Sequence, residues 1–179
     1  FIQPLFGLIN GLIFKIGKIP SFIATLATMI IYQGVAQLVV AGQYYLFATN
    51  QAFRAIAISF IGGVIPLMTI WALLLTIMLI FIALRTKFGR VVYSIGANYE
   101  ATRLSGIGVT KYQLAAFTIS GCLAGVAGGL AAAQQGGASA LPFPILLPAI
   151  AAATIAGTPI TGGAGGPHRA LLGSLMLAI

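Results

Sequence analysis

RTKFGRVVYSIGANYEATRLSGIGVTKY, residues 85–112, is the longest polar interruption in this chain. It carries five of the nine Lys and Arg residues and the only acidic residue, Glu100. On both sides the sequence is apolar over lengths that suit a lipid bilayer. Once 85–112 is read as a loop outside the membrane, the rest falls into spans, turns and interrupted apolar segments.

Composition supports that division. Sixty per cent of the 179 residues are apolar, 6% are charged, and the mean hydropathy is +1.08. A soluble domain carries roughly a quarter charged residues and could not cover its surface with so few. An integral membrane protein in contact with lipid is expected. The formal charge of +8 raises nucleic acid as a partner, but basic residues at the ends of apolar spans are what membrane orientation requires. No nucleic-acid partner is expected. Cys122 is the only cysteine and His168 the only histidine, so neither an internal disulfide nor a Cys/His metal cluster can be assembled.

Upstream of the loop, the apolar tract from Ala55 to Leu84, which contains Gly62, Gly63 and Pro66, reads as a short interfacial or re-entrant piece and a span bounded at 61–84, its full crossing from about Pro66. Ala41 to Arg54 is polar, and Tyr44 and Tyr45 fit an interfacial aromatic belt. Residues 22–40 form an earlier span: 19 residues rise about 28 Å, enough to cross hydrocarbon. Pro20 sits where a helix can start, because a first turn has no use for its N–H. Residues 1–14 read as the second half of another span, anchored by Lys15 and Lys18. No cleavable signal peptide is evident.

Downstream, residues 113–133 resume as a span. Gly121, Gly125 and Gly129 lie four apart on one face, a spacing that lets another helix backbone approach closely. A crowded helix interface is the preferred reading over a gating hinge. Gln134 to Ala140 is a short loop. Residues 142–156 carry Pro142, Pro144 and Pro148, so regular helix is expected only from Ala149, in a broken or re-entrant segment that lines protein. Gly157 to Arg169 is a glycine-rich turn; it lacks the Lys-Ser/Thr of a phosphate-binding loop, which argues against nucleotide binding. Residues 170–179 begin a last span. With apolar tracts at both ends, the chain is expected to be a single transmembrane domain, 1–179, truncated at both termini.

If 85–112 is cytoplasmic, eight of the nine basic residues face the cytoplasm and only Arg54 does not. Within the loop, Asn98 is a plausible N-cap, Glu100 meets the positive end of the helix dipole, and Gly106 with Gly108 stops the helix. A two-turn surface helix with exposed small residues is predicted. Periodicity alone does not separate a functional helix from a mere connection.

The motifs add to this reading. EATRLSG, residues 100–106, resembles the E-A-A-x-x-x-G cytoplasmic motif of permease subunits of bacterial ATP-binding-cassette importers. FGRVVYSIGANYEATRLSGIGV, 88–109, is similar to the coupling region of ribose, xylose and related sugar permeases. NGLIFKIGKIPSFIATLATM, SGCLAGVAGGL and ATIAGTPITGGAGG resemble further blocks of that family in the same order. The resemblance implies an all-α, polytopic transmembrane permease with broken or re-entrant helices and a cytoplasmic coupling helix, in the bacterial cytoplasmic (inner) membrane. It implies a second permease subunit, cytoplasmic ATPase subunits that hold ATP and Mg, and a periplasmic or lipid-anchored solute-binding protein. This chain would then hold no cofactor and no metal, and would not itself be an enzyme. The ATPase-coupling residues would be Glu100, Ala101 and Gly106, with Arg103, Leu104, Ser105 and Ile107 beside them. The chain departs from the family at Leu146 and Pro148, where many members carry an acidic pair, and at Ala156-Gly157.

The implied cargo is a small neutral solute, foremost a monosaccharide. A polyol needs hydroxyl and amide partners within an apolar channel, and Asn10, Thr25, Thr28, Gln33, Thr118 and Ser120 are the candidates; for each, hydrogen bonding between helices is the competing role. No charged residue lies deep in a span, which argues against ion coupling. Branched-chain amino acids or another small solute are alternative cargoes, although a zwitterion would want charge partners, for which half-helix ends could serve. An ATP-independent secondary transporter or channel is the alternative from another class. A membrane-embedded enzyme fares worst, since one His, one Glu and one Cys on scattered segments form no acid/base pair.

Overall fold

In the computed structural model, the described residues are 2–17, 19–41, 43, 45–46, 51–61, 63, 65–138, 145–159 and 162–178. Lys18, Tyr44, Gly62, Pro142 and Pro144, to which the sequence assigns an anchor, a belt residue and helix breaks, lie outside them. The molecule is an all-α membrane protein. Among the described residues three helices are long and apolar enough to cross a membrane: Ser21–Val40, Leu67–Arg85 and Val109–Gln135. The chain divides into two units, Phe1–Ile70 with Leu114–Pro142, and Trp71–Gln113 with Phe143–Ile179.

In the first unit, α1 (Gln3–Gly17) carries Pro4 in its first turn, where no donor is lost. Helix α2 (Ser21–Val40) starts after extended Pro20 and stops at Ala41, whose φ of 49° ends the hydrogen-bond ladder in a left-handed turn. The two helices meet where the tilted rings of Phe6 and Tyr32 lie with centroids 4.5 Å apart, and the Tyr32 hydroxyl donates to Asn10 Oδ1 at 3.2 Å. After a two-residue strand β1 (Tyr45–Leu46), a short helix α3 (Gln51–Ile58) leads to a tight hairpin of β2 (Phe60–Ile61) and β3 (Ile65–Pro66). Gly63, with φ of 74°, supplies the left-handed residue of that turn.

The third span is α4 (Leu67–Arg85), which starts beside the Pro66 expected for the full crossing and not at residue 61, because the apolar stretch before it closes on itself as a hairpin. Most of α4 belongs to the second unit, which continues with α5 (Lys87–Ala97) and α6 (Tyr99–Leu104). The segment 85–112 thus holds two helices instead of one. Helix α7 (Val109–Gln135) then returns the chain to the first unit. Its 27 residues rise about 40 Å, longer than the 113–133 read from hydropathy, since a span continues as helix past the hydrocarbon edge when nothing caps it there.

Helices α1 and α7 cross through glycine. A Cβ placed on Gly121 would lie 2.6 Å from the Gln3 carbonyl oxygen and 3.0 Å from Gly7 Cα, and one on Gly125 would lie 2.7 Å from Gln3 Cβ. Gly7 in turn faces the Phe117 carbonyl, and the rings of Phe14 and Phe117 meet tilted, with centroids 5.6 Å apart. In lipid, where no hydrophobic drive holds helices together, such close approach is the main source of attraction. Among the described residues no atom lies within 4 Å of a Cβ built on Gly129, so the crossing with α1 runs through Gly121 and Gly125. The face turns away as α7 continues beyond α1. At its end, β4 (Gly137–Ala138) pairs antiparallel with β1, joining two stretches the sequence reads as separate loops.

In the second unit, α8 (Leu146–Ile155) and α9 (Pro167–Ala178) pack together, with a Gly173 Cβ blocked by the Ala152 carbonyl and 2.9 Å from Ala156 Cβ. Helix α8 starts at Leu146, not Ala149, because Pro148 falls in the first turn. Its ten residues rise about 15 Å, half the thickness of a bilayer core. Helix α9 starts at Pro167 rather than residue 170, so His168 and Arg169 belong to its first turn and not to the preceding glycine-rich turn.

Candidate functional site

Helix α6 is built from local rules. Asn98 adopts an extended backbone, its side chain accepts the Ala101 N–H at 3.0 Å, and Glu100 occupies the first turn. The Thr102 hydroxyl turns inward, 6% exposed, and donates to the Asn98 carbonyl at 2.8 Å. Gly106, with φ of 77°, ends the helix, and Val109 is buried as α7 begins.

The outer face of α6 gathers the residues that the sequence singled out. Glu100, Ala101, Arg103, Leu104, Ser105 and Gly106 are exposed and Ile107 is half-buried. Leu104 is 85% exposed, an apolar side chain at the tip of the most polar stretch of the chain. Arg103 lies 3.8 Å from Glu100 with both side chains open to solvent, a pair that contributes little to stability. The Ser105 hydroxyl donates to the Ala101 carbonyl at 2.9 Å. What this surface offers is small, with one apolar projection and a balanced charge pair. It carries no acid/base or nucleophilic arrangement.

Helix α5, which sequence reasoning missed, supports α6. Thr86 caps it: the hydroxyl accepts the Gly89 N–H at 3.2 Å and donates to the Ile82 carbonyl at 2.6 Å. Gly89 sits directly on the Ala83 carbonyl, so α4 turns into α5 with no room for a side chain. Phe88, Val91, Val92 and Ile95 are half-buried while Lys87, Arg90 and Ser94 are exposed. That i, i+3, i+4, i+7 pattern was the available signal, and Phe88 also stacks on Tyr112 at 6.0 Å.

The glycine-rich turn between α8 and α9 rests on the last turns of α5. The Tyr93 hydroxyl donates to the Gly165 carbonyl at 2.9 Å. Gly96 faces the Gly163 backbone, and a Cβ on Gly163 would lie 2.8 Å from the Ala97 nitrogen. Gly157, Gly162, Gly163 and Gly165 all have positive φ, a backbone shape that side chains resist. Residues 72 positions apart meet here, which no local pattern announces.

The candidate pathway residues are distributed differently. Asn10 pairs with Tyr32. The hydroxyls of Thr25, Thr28 and Thr118 donate to carbonyls of their own helices, at 3.0 Å to Ser21, 3.1 Å to Ala24 and 2.9 Å to Leu114. Gln33 is half-buried and Ser120 exposed. Among the described residues no buried side-chain polar atom lacks a partner, and no group of three His, Cys, Asp or Glu side chains is placed to hold a metal.

Comparison with known proteins matches residues 4–179 to the family described as "Branched-chain amino acid transport system / permease component". The chain is 32% identical over 234 residues to the xylose transport system permease protein XylH of Escherichia coli (strain K12), covering 97% of this chain and 60% of that protein. It is 34% identical over 184 residues to the ribose import permease protein RbsC of Haemophilus influenzae, covering 98% and 55%. For the ribose import permease protein RbsC of Bacillus subtilis (strain 168) the identity is 33% over 170 residues, covering 94% and 52%. This chain spans little more than half the length of these relatives. No solved structure matches it.

Proposed function

Because the chain belongs to the family of permease components of branched-chain amino acid transport systems, we propose that it is the transmembrane subunit of an ATP-binding-cassette importer, with both units forming one permease domain. The observation that carries the reading is α6: a capped six-residue helix, outermost on a polar stretch, presenting Ala101, Leu104 and Gly106 to solvent. Such a surface fits docking to a cytoplasmic ATPase, which would hold ATP and Mg and perform the hydrolysis. Stretch 85–112 is then cytoplasmic, the protein lies multi-pass in the bacterial inner membrane, and a second permease subunit and a solute-binding protein complete the machine. Glu100 closes the helix start, Ala101 permits close approach, and Gly106 returns the chain toward the membrane; Arg103, Leu104, Ser105 and Ile107 complete the contact.

The proposed cargo is a monosaccharide. The relatives are xylose and ribose permeases by name, and the predicted pathway positions Asn10, Thr25, Thr28, Gln33, Thr118 and Ser120 offer amide and hydroxyl groups with no charge. The family description favours a second cargo, a branched-chain amino acid, for which helix ends would supply the charge partners. Uptake of labelled D-xylose, D-ribose and L-leucine by the full-length permease in its complex decides between them.

Docking is tested by Gly106→Leu and Glu100→Trp in the full-length protein. Recovery of the ATPase with the purified permease is expected to fall at least tenfold, and ATP-driven uptake with it. Undiminished recovery and uptake would remove the coupling role. A permease that transports without ATP would establish the secondary-transporter alternative.

A further inference from the structure

The contact between the glycine-rich turn and α5 lies one residue from the N-cap of α6, since Gly163 packs on the Gly96–Ala97 backbone and Asn98 follows directly. On its other side the same turn joins α8 and α9, which pack as a pair through Ala152 and Gly173. We propose that this joint, Tyr93 on Gly165 and Gly96 on Gly163, is the element that carries displacement of α6 into the α8–α9 pair; the inference rests on the coupling reading of α6.

Three features suit the joint to that task. Its Gly96–Gly163 half is backbone packed on backbone, so that contact has no side-chain freedom through which a displacement can be absorbed. The positive φ at Gly157, Gly162, Gly163 and Gly165 holds the turn in a shape that is its own, and Gly165 is closed on Thr158, whose Oγ1 would lie 2.5 Å from a Cβ there. A single directional hydrogen bond, from Tyr93, ties that shape to α5. Tyr93 is thus a positioning residue: it lies on α5, outside the proposed docking face on α6 and the predicted pathway positions.

The test uses the full-length permease with its ATPase, every native cysteine including Cys122 replaced by Ser, and an environment-sensitive fluorophore on Ser174→Cys in α9. ATP with magnesium and vanadate is expected to shift the emission of this parent. In Tyr93→Phe the shift is expected to be at least threefold smaller, while the ATPase recovered and its turnover stay within twofold. Gly96→Ala is expected to act in the same direction. An undiminished shift in Tyr93→Phe overturns the inference, as does an ATPase recovery that falls in step with the shift, which would place Tyr93 on the docking face. A parent complex that holds no ATPase removes the coupling reading itself, before any joint variant is made.

Discussion

Two parts of this molecule depend on glycine for opposite reasons. Between α1 and α7, Gly7, Gly121 and Gly125 keep helical geometry, and their value lies in the absent side chain. In the turn before α9, Gly157, Gly162, Gly163 and Gly165 adopt positive φ, and their value lies in backbone conformation. The first set sits where helices must touch inside lipid; the second shapes a surface turn. Counting glycines would treat them alike, whereas their substitution costs differ in kind.

The comparison is broken most directly on α7. Gly121→Ala puts a methyl group 2.6 Å from a backbone oxygen, so thermal unfolding in detergent should show a loss of about 1–3 kcal/mol, typical of overpacking. Gly129→Ala, on the same helix, meets nothing within 4 Å and should leave stability unchanged or raise it by up to about 1 kcal/mol, the helix preference of Ala over Gly. Equal losses at both sites would mean that the crossing is not where the structure has it. Asn98→Ala tests the surface part: loss of the cap bond to Ala101 should cost about 1 kcal/mol of α6 stability, read as faster amide exchange at residues 101–104 with little change in global unfolding. The smallest effect is expected from Arg103→Ala. Its exposed pair with Glu100 is worth below about 0.5 kcal/mol, so any large loss of ATPase recovery in that variant would report contact with a partner and not stability.

The legible parts of the fold were those written in consecutive residues. Helices α2, α4 and α7 followed from apolar length, and α6 from Asn98, Glu100 and Gly106. Helix α5 is harder to read because Gly89, Gly96 and the Val91-Val92 pair weigh against helix, although Phe88, Val91, Val92 and Ile95 keep its period. Glycine at Gly89 and Gly96 serves contacts with Ala83 and Gly163, which tertiary packing imposes and propensity opposes. The hairpin at 60–66 was hidden in an apolar run without alternation. The pairing of Tyr45 with Ala138 and the bond from Tyr93 to Gly165 join distant residues, so nothing local could reveal them. For the candidate site, the exposed face was visible in sequence and the turn beneath it was not.

Asn98 ends one helix and begins the next: its N–H donates to the Ser94 carbonyl at 2.9 Å while its side chain receives the Ala101 N–H. No spare chain lies between α5 and α6. One inserted residue would rotate α6 by about 100° relative to α5, turning Thr102 toward solvent and Ala101 inward. The spacing from Tyr93 to Leu104 is therefore as much a part of the surface as the residues that compose it, and chain length here acts as a constraint in its own right.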